Sequence, residues 1–305
     1  SAWRGLLINR LSVYAILAYV EAWKGNYVDA EAYTAYVIKN IGVYIVGTID
    51  CVTITNMVSP TGLFSQEYSN DYKAARLVTF GYRYGTDNAN ETGTDGHLES
   101  WTLAEPVTRK QLPEIYVSID TLKNLFMNQF TTDNRFGYDE LSKPMKYYSN
   151  YVTGLSREYP IFSKINVVRE GKDNTGDFGV FTSFIIWSRF EDVLLLRAEA
   201  LVMLNRSEDA INCLNELRGV RNLRNLSYLK DLKGDAKALL KEIFRERRRE
   251  LMGEGHHWFD RIREARIVGD DTEMVKLINE GGIYWPVAEE VMRENPSITQ
   301  NEYWK

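Results

Sequence analysis

Apolar residues recur at helical spacing along two well-separated stretches of the chain. In the first, Leu11, Tyr14, Ala15, Leu17 and Ala18 share one face, Gly25-Asn26-Tyr27 interrupts it, and Ala30, Tyr33, Thr34, Val37 and Ile38 resume it. This pattern predicts two antiparallel helices within residues 10–40. In the second, residues 190–218, the arrangement returns: Ala198 and Ala210 stand twelve apart, as do Ala18 and Ala30. Ser207 is an N-cap candidate there, and Glu208 and Asp209 suit the positive end of a helix. Ile211, Leu214 and Leu217 mark the buried stripe. Residues 235–267 hold two more helices, the first capped by Asp235, with Ala236, Leu239, Leu240, Ile243, Phe244 and Leu251 on its core face.

Residues 41–185 look different. Gly, Asn, Asp, Thr and Tyr dominate, and long helical periods are scarce. Tyr44–Ile49, Leu77–Phe80 and Ile161–Val168 read as strands, and Ile119–Phe130 as a helix with Leu122, Leu125 and Phe126 on one side. The tail from Gly281 to Lys305 is irregular and punctuated by proline. The segment Ala18-x6-Gly25-Asn26-Tyr27-x-x-Ala30 matches the middle of a tetratricopeptide repeat, where small residues permit close helix approach. Two such units so far apart are too few for a regular solenoid. The fold class expected is mainly α: tetratricopeptide-like helical hairpins with a large irregular, loop-rich ligand-binding region and few short strands. The expected parts are a hairpin at 1–45, the loop-rich region at 46–185, and a helical scaffold with its tail at 186–305, packed as one unit.

Composition narrows the function. A net charge of −5 gives no general attraction to nucleic acid or anionic lipid. No run of about 18 apolar residues is present to span a membrane. The 19 tyrosines exceed what a core of this size needs, and tyrosine suits contact surfaces that are half apolar and half polar. Cys51 and Cys213 stand far apart. Cys213 is expected as a buried small hydrophobe, and two cysteines alone cannot argue for a bridge. The opening Ser1-Ala2-Trp3 reads as the approach to a helix, in a fragment of a longer protein without a signal peptide.

The densest chemical cluster is Arg247, Glu250, Glu254, His256, His257 and Asp260. Glu254-x-x-His257 has the spacing of a di-iron ligand pair, but a second such pair is missing: the third histidine, His97, has no Glu three positions before it. Arg247, Glu250, Glu254 and Asp260 suit a partly buried ion-pair network instead, with Arg247 and Glu250 at i,i+3 and Glu250 and Glu254 at i,i+4. The run from Arg245 to Glu250 reads as a solvated, salt-bridged helix face rather than a nucleic-acid site. Asn88-x-Asn90-x-Thr92-Gly93 followed by Glu99 copies the ligand spacing of a calcium loop, although a polar surface loop explains it better. No phosphate-binding glycine loop or nucleophile elbow is present. No catalytic residue, metal site or cofactor is assigned, and no enzymatic activity is expected. The ligand-binding candidates are Tyr82, Tyr84, Trp101, Tyr147, Tyr148 and Tyr151, with Tyr159 nearby, all set among Asn, Asp, Ser and Thr. Sugar rings present apolar C–H faces and a polar rim, so flat aromatic platforms beside hydrogen-bonding side chains suit them.

Several segments together resemble the SusD/RagB family. Arg189-Phe190-Glu191-Asp192-Val193-Leu194-Leu195-Leu196-Arg197-Ala198-Glu199-Ala200 is similar to the family's R-Y-A-D-V-L-L-L-Y-A-E-A, and Leu214-Asn215-Glu216-Leu217-Arg218 to its L-N-x-V-R. Glu246-Arg247, Glu250-Leu251, Glu254-Gly255 and Asp260 match E-R-x-x-E-L-x-x-E-G-x-R-x-x-D, with His257 where an Arg is usual. Pro286, Asn295-Pro296 and Gln300-Asn301 match the closing motif, and Asp133 and Arg135 a D-x-R after the mid-chain helix. The resemblance implies a nutrient-binding lipoprotein of the Bacteroidetes outer membrane. Such a protein captures oligosaccharides at the cell surface, or peptides in some members, and hands them to a SusC-like TonB-dependent transporter. It also implies membrane association through a lipid anchor not present in this chain. An alternative of another class is a tetratricopeptide adaptor with a groove between the helices of 10–40 and 190–218. A third is a metal hydrolase built on Glu254 and His257.

Overall fold

The computed structural model describes residues 8–41, 50–65, 75–80, 98–105, 110–126, 132–139, 141–144, 146–165, 167–170 and 179–305. It opens with the expected hairpin, α1 (Arg10–Lys24) and α2 (Tyr27–Asn40). Asn9 starts α1 through a reciprocal cap: its side chain accepts from the Leu11 and Ser12 amides, and the Ser12 hydroxyl accepts from the Asn9 amide. Gly25 ends α1 at φ 81°, a conformation open to glycine. Ala18, Ala22 and Ala30 then pack with Leu196 and Ala200 of a later helix, all of them buried. Ala30→Leu is therefore expected to lower stability by about 1–3 kcal/mol through overpacking. Val28→Leu, on the exposed side of the same turn, should change it by less than about 0.5 kcal/mol. Urea titration of both variants checks the contrast.

The irregular region follows, with α3 (Ile54–Val58), β1 (Arg76–Phe80), α4 (Leu98–Thr102), α5 (Ile119–Phe126), β2 (Phe136–Asp139), β3 (Lys146–Ser149), β4 (Val152–Thr153), β5 (Ile161–Phe162), β6 (Val168–Glu170), β7 (Gly179–Phe181) and β8 (Ile185–Arg189). The strands form two-stranded antiparallel ribbons, β1 with β8 and then three successive pairs, β2–β3, β4–β5 and β6–β7. The expected strand at 161–168 is broken in two, because Lys164 turns inward between β5 and β6 and is fully buried. The strand expected at Tyr44–Ile49 and the end of the helix expected past Phe126 lie outside the described residues.

The scaffold is α6 (Phe190–Met203), α7 (Ser207–Val220), α8 (Ala236–Glu250), α9 (His257–Val268), α10 (Thr272–Asn279) and α11 (Glu289–Glu294), closed by a 3-10 turn at Glu302–Trp304. It is mainly helical, as expected. α6 is buried on nearly every side and packs against α1, α2, α7 and α8. The Ile211, Leu214 and Leu217 stripe is buried. Ser207 is not the cap. Asn205 at φ 60° and the Arg206 amide bonded to the Leu201 carbonyl close the α6–α7 link so tightly that Ser207 is already helical, with Arg206 at the cap position. Asp235 does cap α8, accepting from the Lys237 amide, while Ala236 stands exposed in the first turn, beyond the core. Two apolar clusters result. One joins α1, α2, α6, α7 and α8; the other, built on Leu63, Phe64, Leu122, Phe136, Tyr151 and Phe184 among others, lies beneath the ribbons.

Candidate functional site

The carboxylates of α8 recur every fourth residue, Glu242, Glu246 and Glu250, and Glu254 continues the series past the helix end. This spacing puts the helical three on one face. That face meets cations from four other elements. Arg135, just before β2, bonds Glu246 at 2.6 Å, Glu250 at 3.1 Å and Asp133 at 2.8 Å. Arg221, after α7, and Arg189, ending β8, reach Glu250 at 2.8 Å and 2.9 Å. Arg218 and Arg249 serve Glu242 and Glu246. Lys164 and Arg189 hold Glu254, and Lys164 also donates to the Glu250 carbonyl at 2.6 Å.

Arg247 corrects the expected pairing. It points to the other side of α8, where it bonds Asp260 at 2.8 Å, Asp192 at 3.0 Å and the Tyr19 hydroxyl at 2.7 Å. Arg263 joins Asp260 to Glu199, so Asp260 is doubly held without an arginine at position 257. The run from Arg245 to Glu250 is likewise no solvated face: Glu246, Arg247, Arg249 and Glu250 are buried, each against opposite charge. Burial pushes the Glu250 carboxyl up, but Arg221, Arg189 and Arg135 outweigh it and hold it well below the carboxylate range. Against burial, Arg189 and Lys164 take Glu254 down to about 2. Arg247 and Arg263 do the same for Asp260, also to about 2. Burial takes Lys164 down to about 8 despite Glu254. Both Glu254 oxygens are occupied by Arg189 and Lys164. Their two cations already neutralise Glu254, so its carboxylate is a poor partner for an ion at His257. His257 instead sits exposed beside a cleft of about 490 Å³ lined by Arg248, Arg261, Glu264 and Asp271. Those four residues pair with one another, Arg248 with Glu264 and Arg261 with Asp271.

The aromatic candidates separate into distinct settings. Tyr151 is not a surface platform: it is fully buried in the lower cluster, its hydroxyl against the Met57 sulfur and Lys164 over its ring. Tyr147 is half-buried on the β2–β3 ribbon, paired across it with Tyr138 and stacked on Phe136 at 6.0 Å. Tyr148, its neighbour, takes the opposite face of the pleat and is 39% exposed. Trp101, in α4, is 40% exposed. Its carbonyl accepts from the amides of Glu114 and Ile115, at 2.8 Å and 2.9 Å. This fixes the 110–116 segment to α4. On that segment Tyr116, also 40% exposed, meets the edge of Tyr159 at 4.8 Å and 89°. Arg157 closes the arrangement by donating to the Glu105 carbonyl at 2.9 Å. Trp101, Tyr116 and Tyr159 therefore belong to one hydrogen-bonded surface. The sequence reading missed Tyr116, which stands between two apolar residues, Ile115 and Val117. Tyr82, Tyr84 and all but the end of the Asn88-to-Glu99 spacing lie outside the described residues. The groove expected of an adaptor is filled, since α2 packs directly on α6.

A family model matches this chain. Residues 69–304 fit the description "SusD family". The chain belongs to the SusD family. Among solved structures, a SusD superfamily protein from Bacteroides thetaiotaomicron is 42% identical, with a TM-score of 0.82, over 99% of this chain and 60% of its own. A SusD homolog from the same species is 22% identical with a TM-score of 0.69, over 99% of this chain and 61% of its own. The SusD-like protein P38 of Formosa agariphila is 36% identical over 121 residues, 38% of this chain and 24% of its own. The chain thus spans about three fifths of the SusD structures it matches. In SusD terms, the buried α8 hub is the family motif read as structure: its Glu-Arg, Glu and Glu-Gly positions are Glu246-Arg247, Glu250 and Glu254-Gly255.

Proposed function

We propose that this SusD-family chain is a non-catalytic glycan-capture protein of the outer-membrane surface that passes oligosaccharides to a TonB-dependent transporter. The surface of Trp101, Tyr116 and Tyr159 is the proposed contact. The observation that carries the reading is the tie between the Trp101 carbonyl and the 114–115 amides, which presents the Trp101 and Tyr116 segments together before any ligand arrives. Such preorganisation limits the entropy lost on binding. Tyr148 is a second proposed contact. Among the described residues no helix is long and apolar enough to cross a membrane; the proposal keeps membrane association through a lipid anchor not present in this chain.

Isothermal titration against panels of neutral oligosaccharides and of peptides tests the reading. An oligosaccharide is expected to bind. The double variant Trp101→Ala/Tyr116→Ala should weaken it about tenfold or more, equivalent to roughly 1.4 kcal/mol. Silence across the sugar panel, or wild-type affinity in the double variant, would refute it. Heat from the peptide panel alone would reassign the ligand.

A further inference from the structure

A second aromatic surface lies near the end of the sequence, on residues separate from every candidate above. The tail folds back on itself as a clip. The Gln300 amide behaves like a strand neighbour to Val287, accepting from its amide at 2.9 Å and donating to its carbonyl at 3.0 Å. Asn301 donates to the Trp285 carbonyl and the Trp304 indole to the Tyr284 carbonyl at 2.7 Å. The Tyr303 ring rests on the backbone of Gly282, where an added Cβ would come within 2.9 Å of it. Tyr303 meets Trp304 edge to face at 5.0 Å and 78°. The backbone on both arms is therefore fixed, while the rings it carries face water. Trp285 is 80% exposed, and Tyr284, Tyr303 and Trp304 are all exposed as well.

A flexible tail would let such rings collapse onto the protein. Here hydrogen bonds hold the Tyr284 and Trp285 carbonyls and the Trp304 indole N–H, and Trp285 stays 80% exposed. Rigid aromatic faces beside Asn301, Glu302 and Lys305 have the character of a sugar platform, with apolar ring faces and a polar rim. The Glu302–Lys305 pair supplies that rim with both signs of charge.

We infer that the Tyr284–Trp285 and Tyr303–Trp304 clip is a second carbohydrate-contact surface, for neutral oligosaccharides, separate from the Trp101 surface. The inference rests on the glycan reading above, and the two fail separately in the following experiment. The chain is labelled with 5-fluorotryptophan, and the fluorine lines of Trp101, Trp285 and Trp304 are assigned from Trp101→Ala, Trp285→Ala and Trp304→Phe. Maltohexaose, cellohexaose, mannohexaose and xylohexaose are then titrated in. The Trp285 side chain makes no hydrogen bond that its variant would remove, so the clip stays closed; unchanged lines for Trp304 report this. The expected result is that one of these sugars moves the Trp285 line saturably, and does so equally in Trp101→Ala. Movement of the Trp101 line with a still Trp285 line overturns the second surface and leaves the first. Stillness of both lines across the panel overturns both. A Trp285 line that moves only with protein concentration assigns the clip to self-association and overturns the sugar reading.

Discussion

Replacing Glu250 with glutamine is expected to destabilise the chain by about 3–5 kcal/mol, because it leaves buried cations without their carboxylate. Glu250 is fully buried and faces Arg135, Arg189 and Arg221 at once. The amide keeps the shape and one acceptor but removes the charge that the three guanidiniums share. The thermal midpoint should drop by on the order of 10 °C. A pair with an exposed cation provides the control. Lys24 and Glu21 are separated by 2.8 Å, the same distance as Arg221 and Glu250. Yet Lys24→Ala should move the thermal midpoint far less, because water solvates the Lys24 ammonium and Glu21 keeps its bond from Asn26. Equal losses in the two variants, measured by calorimetry, would show that burial is not what makes the Glu250 hub matter.

Acid should unfold the chain steeply. Glu246, Glu250, Glu254 and Asp260 all have carboxyls held below their ordinary range in the folded state, Glu254 and Asp260 at about 2. A depressed folded pKa contributes stability that is complete above the unfolded value, near 4, and is lost as pH falls toward the folded one. Stability should therefore hold between pH 7 and 5 and fall between about pH 4.5 and 2. Near pH 3 unfolding would take up several protons, each worth about 1.4 kcal/mol per pH unit. Burial raises Glu216 and Glu264 and gives them the opposite sign, so the net uptake is below the full count of four. Urea midpoints across this range give the slope. A slope of less than one proton would mean that the hub is not ionised as its geometry requires.

Much of the helical frame was legible before the structure. Ala18 with Ala30 and Ala198 with Ala210 marked the places where helices touch, and all four are fully buried. Gly25 marked its turn through the same logic of backbone freedom. The hub was only half legible. Carboxylates four apart on α8 announced a shared face, but a run as charged as Arg245 to Glu250 reads as a wet surface. Only cations brought by distant segments, Arg135, Arg189 and Arg221, make burial tolerable. A helix cannot display its partners in its own sequence. The Asp133-x-Arg135 pair shows the same limit: it served as a family marker, and its role as an anchor emerged only when Arg135 met Glu246 and Glu250. The ligand surface was least legible. Tyrosine reads alike whether its ring packs a core, as Tyr151 does, or faces water, as Tyr148 and Tyr116 do. The ring has an apolar body and one polar atom in either case.

Arg135 and Lys164 both end on Glu250, one on its carboxylate and the other on its carbonyl. Between them the chain runs from 136 to 163, out through the β2–β3 ribbon and back along β5. That excursion is riveted to a single helical residue at its entry and its exit. It is therefore a loop with two fixed ends: Tyr147 packs inward onto Phe136, while its neighbour Tyr148 is carried outward between the two rivets.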